Sequence, residues 1–373
     1  MKGRKKKRVT SYLLSYGLVL CTAFAPRISQ ASEPLRSPFD VSQRRELFGA
    51  RVEAWSCPAP PAAVRDLTFS GFYADTGQGS SVVDPAAKKA YDNATRAISQ
   101  YENKLADMSD GYVRSNPPVG AAAACVLDWL HAWARAEAML GRATEQGGYV
   151  RKWGLAPVSA SYLKIRMEPS LDPAKRSGVD RWISRWASII KDDYSTGTQR
   201  SSRQNNHLYW AAWSVMLAGI VLNDTDLYEW ALDRYRFAMK QIQPDGTLPL
   251  ELARKSKALH YHNFSVAPLV LIAETLEKNG NDPFSWGDGA LHMLVKRTVA
   301  GLDDPSYFER LAHAKQDLGG IFNGFDLAWM ESYYARFRDT SLEKWIHRLR
   351  PMKNRWLGGD MTLLFGIRDL RSL

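Results

Sequence analysis

Two stretches of this 373-residue chain gather side chains able to hold an anion and move a proton. The first is "RQNNHLYWAAW", in which Asn205, Asn206 and His207 stand directly before an apolar, aromatic-rich run. The second is "PLELARKSKALHYHNFSV", residues 249–266, with Arg254, His260, Tyr261, His262 and Asn263. Asn205 has a structural use as an N-cap, its side-chain oxygen accepting from the free amides of the first helical turn. Asn206 and His207 are left at the helix mouth without one. A carboxamide, an imidazole, a guanidinium and a phenol supply neutral hydrogen bonding, positive charge and a proton-transfer group of high intrinsic pKa. That set suits β-elimination from a uronic acid. The C5 proton beside a charged carboxylate is a poor acid, and groups that neutralise the carboxylate let charge flow onto it as the enolate-like state develops. A base then removes the proton and an acid returns one to the departing O4. Free tyrosine titrates near about 10, and Arg254 close by is expected to favour the phenolate of Tyr261 and lower that value.

Each group also has a plainer reading. A histidine at a helix start is commonly packed, a tyrosine within "HYH" commonly fills a core, and Arg254 beside Lys255 and Lys257 reads as a solvated basic face. Other chemistries fit less well. His260 and His262 are two apart without a paired carboxylate or cysteine, which suits neither a helical metal pair nor the common zinc spacings. No Gly-rich phosphate loop, nucleophile elbow or obvious carboxylate pair for glycoside hydrolysis is present. No metal and no cofactor are therefore expected.

The elements that must hold these groups read as helices. "PAAKKAYDNATRAISQYENKLADM" opens with Asp84-Pro85 as cap and first-turn proline. "GAAAACVLDWLHAWARAEAMLG" is expected to run as a helix to Gly141. Helical spacing recurs in "VDRWISRWASIIKDDY", "YWAAWSVMLAGIVL", "TDLYEWALDRYRFAMKQI", "NFSVAPLVLIAETLEKNG", "GALHMLVKRTVAGL" and "FDLAWMESYYARF". No alternating Val/Ile run is long enough to build a sheet. The fold class is all-α, and antiparallel hairpins in series point to a helical barrel or toroid. The Pro-rich segment 32–64 is expected to wrap the body as an irregular arm, and the Gly/Ser-rich segment 69–84 to form a mobile surface loop. The chain thus divides into 1–31, 32–84 as arm and lid loop, and 85–373 as the helical toroid.

Residues 1–31 join a basic start, "MKGRKKKRVT", to an apolar "LLSYGLVLCTAFA" and a small-residue "SQA" before Ser32. They read as a secretory signal peptide cleaved near Ala31, too short for a membrane span. Leu20 before Cys21 argues against lipidation, so no stable membrane anchor is expected, and the product is placed in the periplasm or beyond. Removing this segment's seven Lys and Arg lowers the formal charge from +11 to +4. The basic balance is therefore no argument for nucleic acid, while a modest excess suits an anionic polymer. Cys57 and Cys125 remain, and in an exported protein a disulfide between them is expected.

At its two polar stretches the sequence resembles the poly(mannuronate) alginate lyases of polysaccharide lyase family 5. "NNHLYWAAWSVMLAGIVLND" is similar to that family's NNH-x-YWAAWSVM helix. "DGTLPLELARKSKALHYHNFSVAPLVLIA" is similar to its DG-x-LP-x-E turn followed by Arg, six residues and Tyr-His-Asn. Weaker likeness in "VLDWLHAWARAEAML", "RKWGLAPVSASYLKIR" and "LGGDMT" carries it from about residue 55 to 365. The resemblance implies an incomplete (α/α) toroid. It assigns Asn206 and Arg254 to neutralising the C5 carboxylate, and His207 to helping them or serving as base for the opposite C5 configuration. Tyr261 becomes base and acid for syn elimination at mannuronate. Gln146, Tyr149 and Trp153 match subsite residues, Trp153 as a stacking platform, and Tyr73 a lid contact.

Two departures touch substrate rather than chemistry. Phe72 stands where relatives carry a substrate-contacting lysine, and Arg355 in "NRWLGGD" is shifted by one residue from their arginine. The expected function is metal-independent cleavage of mannuronate-rich alginate by a monomer, leaving 4-deoxy-hex-4-enuronosyl ends. The alternatives are a lyase for another polyuronate (glucuronan, polyglucuronate or hyaluronan) and a non-catalytic polyuronate-binding protein.

Overall fold

The structure is a computed structural model that describes residues 3, 33–52, 54–74 and 82–367. The chain divides into a unit at 1–34 and a unit at 35–373, and the description concerns the second. The signal-peptide reading lies outside the described residues, Gly3 apart.

The arm is less irregular than expected. It holds a short helix, α1 (Val41–Phe48), opened by Asp40, whose carboxylate accepts from the Gln43 amide at 3.1 Å. There follow α2 (Pro85–Arg114), α3 (Gly120–Arg135), α4 (Glu145–Ile165), α5 (Pro173–Ser195), α6 (Asn206–Leu222) and α7 (Thr225–Gln241). The remainder are α8 (Pro249–Leu252), α9 (Ala258–Lys278), α10 (Trp286–Asp303), α11 (Ser306–Ala312), α12 (Met330–Phe337), α13 (Glu343–Leu349) and α14 (Met361–Phe365). Asp84 and Asp172 cap α2 and α5, with Pro85 and Pro173 in first turns where a missing N–H loses no bond. Among the described residues the named strands are β1 (Lys353–Asn354) and β2 (Gly359–Asp360), paired antiparallel.

Burial patterns sort the helices into two layers. α6 and α9 are apolar around nearly their whole circumference and almost wholly buried, as inner helices must be. α5 instead buries one stripe, Val179, Trp182, Ile183, Trp186, Ala187 and Ile190, at helical spacing. The contacts agree: α2, α4, α6 and α9 lie side by side in an inner layer, backed in turn by α3, α5, α7 and α10. α12 packs on α9, α14 on α12, and α1 on both α14 and α2, so short pieces rather than a full hairpin complete the ring. This is an incomplete (α/α) toroid.

Two helices differ from their sequence signals. α3 stops at Arg135, six residues short of Gly141, because Glu137 and Met139 take left-handed backbone angles. α4 was not legible as a helix, since Gly147, Gly148, Gly154 and Pro157 interrupt it and its near-complete burial erases any polar face. Gly147 has a steric reason. A Cβ there would stand 1.9 Å from the Leu67 carbonyl oxygen, so only glycine lets residues 67–69 cross the start of α4. Thr144 caps α4 and its hydroxyl donates to the Phe69 carbonyl at 2.5 Å, which fixes the base of the lid loop. Tyr73 then bridges Val83, while residues 75–81 of that loop lie outside the described set.

The Pro-rich arm is fastened to α3. The indoles of Trp129 and Trp133 donate to the carbonyls of Pro58 and Pro61 at 2.7 and 3.0 Å. Cys57 and Cys125 are joined by a disulfide, their Cα atoms 5.6 Å apart.

Candidate active site

The site is built from the N-terminal turns of α4, α6 and α9. At α6, Asn205 caps the helix, its Oδ1 accepting from the His207 amide at 3.1 Å. Asn206 is fully buried and faces Glu251, itself fully buried on α8. The Asn206 amide donates to Glu251 Oε1 at 2.8 Å, and its Nδ2 lies 3.0 and 3.1 Å from the two carboxyl oxygens. Asn206 Oδ1 is buried with no hydrogen-bond partner among the described residues. Burial pushes the Glu251 carboxyl up, against the opposing pull of Asn206 and Arg254.

Arg254 follows Glu251 by three residues on a strained turn. Lys255 is left-handed (φ 53°), and its carbonyl accepts from Gln316 Nε2 at 3.0 Å. Gln316 Oε1 in turn accepts from the Leu259 amide at 2.9 Å, so one side chain ties the Arg254 turn to the start of α9. The Arg254 guanidinium lies 3.5 Å from the centroid of the Tyr261 ring. The Tyr261 hydroxyl is 2.9 Å from that of Tyr73. Here the expected electrostatics is overturned. Arg254 does pull the Tyr261 phenol down, but burial outweighs it and the net shift is upward.

His207 is half-buried beside α4. Its ring stacks on Tyr149 at 3.9 Å and 22°, and its Nδ1 is 2.9 Å from Nζ of the fully buried Lys152. Burial, then Lys152, Arg254 and Arg203, hold the imidazole well below its ordinary value, so it is neutral at pH 7. Tyr149 donates to Glu145 Oε1 at 2.6 Å, and burial raises its phenol to about 12. Trp153, one turn on, stacks on Trp356 at 5.2 Å and 15°. Gln146 hydrogen-bonds Tyr91 and lies beside Gly71 at the lid base.

Arg355 has an acidic partner that its sequence position did not suggest. Its Nε donates to the buried carboxylate of Glu102 at 2.8 Å, and its guanidinium lies 4.8 Å from the Trp356 ring. The arginine is matched by an acid and braces the aromatic platform. His262 and Asn263 of "HYHN" have structural roles. His262 Nδ1 donates to the Ala258 carbonyl and its Nε2 accepts from the Leu248 amide, at 2.7 and 2.8 Å. Asn263 bridges the Asp326 carbonyl and the Trp329 indole. Among the described residues no group of three His, Cys, Asp or Glu is placed to hold a metal ion.

Three helix N-termini therefore meet where Arg254, Arg203 and Lys152 also cluster. Partial positive charge at helix starts adds to these cations and favours a bound anion. Sequence comparison decides whose site this is. The family described as "Alginate lyase" matches residues 72–308. The chain belongs to the alginate lyase family.

Relatives in this alginate lyase family include a polysaccharide lyase of Stenotrophomonas maltophilia (strain K279a), 35% identical over 83% of this chain and 90% of its own. An alginate lyase of Pseudomonas syringae pv. syringae (strain B728a) is 32% identical over 96% and 95%. Among solved structures, alginate lyase A1-III from Sphingomonas species A1 superposes with a TM-score of 0.76 at 27% identity, covering 88% of this chain and 95% of that one. A histidine-to-alanine variant of A1-III complexed with a tetrasaccharide gives 0.76 at 26% identity, over 90% and 97%. The chain is thus a polysaccharide lyase with the alginate lyase toroid. Its sequence reading omitted four residues of the site: Glu251, Lys152, Trp356 and Glu102. Glu251 alone carried a signal, as the acid of the DG-x-LP-x-E turn.

Proposed function

We propose that this lyase cleaves mannuronate-rich alginate by metal-independent β-elimination, after export to the periplasm or beyond. The observation that carries the reading is the Tyr261 ring beneath the Arg254 guanidinium, which stands on the turn whose Glu251 also holds Asn206. The C5 carboxylate of the bound sugar lies against Arg254, Asn206 and His207, which offset its charge as the C5–H bond breaks. The Tyr261 oxygen takes that proton, the electron pair forms the C4–C5 double bond, and O4 departs. The same phenol returns the proton to O4, which restores the phenolate. In mannuronate the proton and O4 leave from one face, so a single residue serves both. Trp153, stacked on Trp356, gives the neighbouring sugar a flat apolar surface.

A panel of purified polymannuronate, polyguluronate, glucuronan and hyaluronan tests this, read by ultraviolet absorbance of the unsaturated uronate, with and without chelator. Fastest cleavage of polymannuronate in chelator is expected. Tyr261→Phe is expected to lose about a hundred-fold or more in turnover while still binding polymer. Equal turnover by the variant sinks the assignment. A second reading, another β-linked polyuronate, is favoured by Phe72 at the lid base, and a preference for glucuronan or hyaluronan in the panel would establish it. N-terminal sequencing of the exported product, expected to begin at Ser32, tests the localisation.

A further inference from the structure

Lys152 is fully buried on α4, and its surroundings contain no acid that pairs with it among the described residues. Its Nζ lies 2.9 Å from His207 Nδ1, 3.9 Å from the Trp153 ring centroid and 4.5 Å from that of Tyr149. Aromatic faces offset part of the cost of burying an ammonium, but a lysine without a carboxylate remains a poor choice for stability. Burial, then Arg203, depress its pKa well below the ordinary lysine value. The charged and titratable groups around it are Tyr149 on α4, His207 on α6, Arg203 ahead of α6 and Arg254 beyond His207. A position so unfavourable to folding calls for another use.

Hydrogen-bond chemistry supplies one. In its charged form Lys152 has donors and no acceptor, so Nδ1 of a neutral His207 accepts from it and the ring proton sits on Nε2. The partner of one ring nitrogen thereby decides what the other presents. Nε2 has no partner among the described residues, and His207 is half-exposed. We propose that Lys152 is a positioning residue that holds His207 in the Nε2–H tautomer, so that His207 donates to the uronate carboxylate and is withheld from acting as a base. This rests on the reading that the carboxylate lies against His207. Proton removal is then left to Tyr261 alone, which restricts the enzyme to one C5 configuration. Without Lys152 the Nδ1–H tautomer becomes accessible, and an Nε2 lone pair can attack the C5 proton of the opposite configuration. A bound anionic sugar favours the charged lysine and tightens the selection.

The test uses the full mature chain with 15N-labelled histidine. The His207 signals are assigned by difference from His207→Gln, and the ring tautomer is read by NMR. Wild type is expected to show Nε2 protonated and Nδ1 bare. Lys152→Met is expected to show mixed tautomers, a fall of about ten-fold in kcat on polymannuronate, and a higher ratio of polyguluronate to polymannuronate cleavage. Its Tm is expected to stay level or rise, because a desolvated amine has been removed. Lys152→Gln, which keeps a donor, is expected to restore the tautomer and most of kcat. Nδ1–H in the wild type overturns the proposal, as does Lys152→Met with tautomer and substrate ratio unchanged. If the methionine variant does not fold, the wild-type tautomer decides alone. Nε2–H in a protein that cleaves no uronate supports the tautomer assignment and sinks the proposed reaction instead.

Discussion

The hydroxyls of Tyr73 and Tyr261 lie 2.9 Å apart, so a residue at the lid base is bonded to the proposed catalytic base. Tyr73 is held by its bridge to Val83, and the segment before it crosses α4 closely at Gly147. Any movement of the lid base would break this bond to the phenol. When the Tyr73 hydroxyl withdraws, the departing O4 of a sugar can take its place. Tyr73→Phe is expected to lower kcat/KM about three- to ten-fold, the worth of one hydrogen bond, with an unchanged circular dichroism spectrum. An unaltered kcat/KM on polymannuronate would show that this bond has no part in turnover.

Burial sets the pH at which Tyr261 works. It holds the phenol above the ordinary tyrosine value despite Arg254, so the phenolate is the scarce form at neutral pH. If the phenolate is the base, kcat/KM should climb toward ten-fold per pH unit on the alkaline side, for as long as the fold persists. His207 is neutral across this range and contributes no limb of its own above pH 7. A kcat/KM that is flat from about pH 7 to 9 would mean that no net proton is lost between the free neutral enzyme and the transition state, and would sink the phenolate as base.

In the proposed reaction, Glu251 governs which end of the Asn206 amide meets the sugar. With Nδ2 on Glu251, the orphaned Oδ1 is the wrong group for a carboxylate. Rotating the amide presents Nδ2 to substrate and requires Glu251 to donate, hence to be protonated. Its raised pKa favours that proton. Glu251→Gln still accepts from the Asn206 backbone and can donate to Oδ1, so it is expected to keep kcat within about three-fold. Glu251→Ala leaves buried donors unmatched and is expected to lose about ten- to hundred-fold. Similar losses in both variants would mean that the charge, not the orientation, matters.

Local signals in the chain reveal some of these elements, and long-range packing hides the others. Asn205 was visible as a cap because capping is local grammar, and the inner helices α6 and α9 because long apolar runs announce burial. α4 was hidden, although it bears Gln146, Tyr149, Lys152 and Trp153, because a helix buried on every side has no periodicity and its glycines and proline mimic a loop. The acidic partner of Arg355 is invisible in the sequence because Glu102 lies 253 residues away. The direction of the Tyr261 pKa shift is hidden for a related reason. Arg254 is close in sequence and could be named, while the burial that outweighs it comes from packing of α9 against the rest of the toroid.

The histidines beside Tyr261 tie stability to pH. His262 spends both ring nitrogens on backbone groups, donating to Ala258 and accepting from Leu248, which demands a neutral ring. Its pKa is pushed down to about 4 by burial, and so is that of His260. In the unfolded chain both titrate near about 6.5. Their stabilising contribution is fully present above that value. As pH falls from about 6.5 toward 4 the unfolded state binds protons that the folded state refuses, and stability is lost. For fully buried His262 the loss is on the order of 3 kcal/mol across that window. Tm should fall steadily between about pH 7 and 4.5, with reversible loss of activity, since unwinding the first turn of α9 displaces Tyr261. His262→Gln cannot titrate and should melt lower at pH 7 but with a flatter pH dependence. A variant whose Tm falls as steeply as the wild type over that range would place the acid sensitivity elsewhere in the protein.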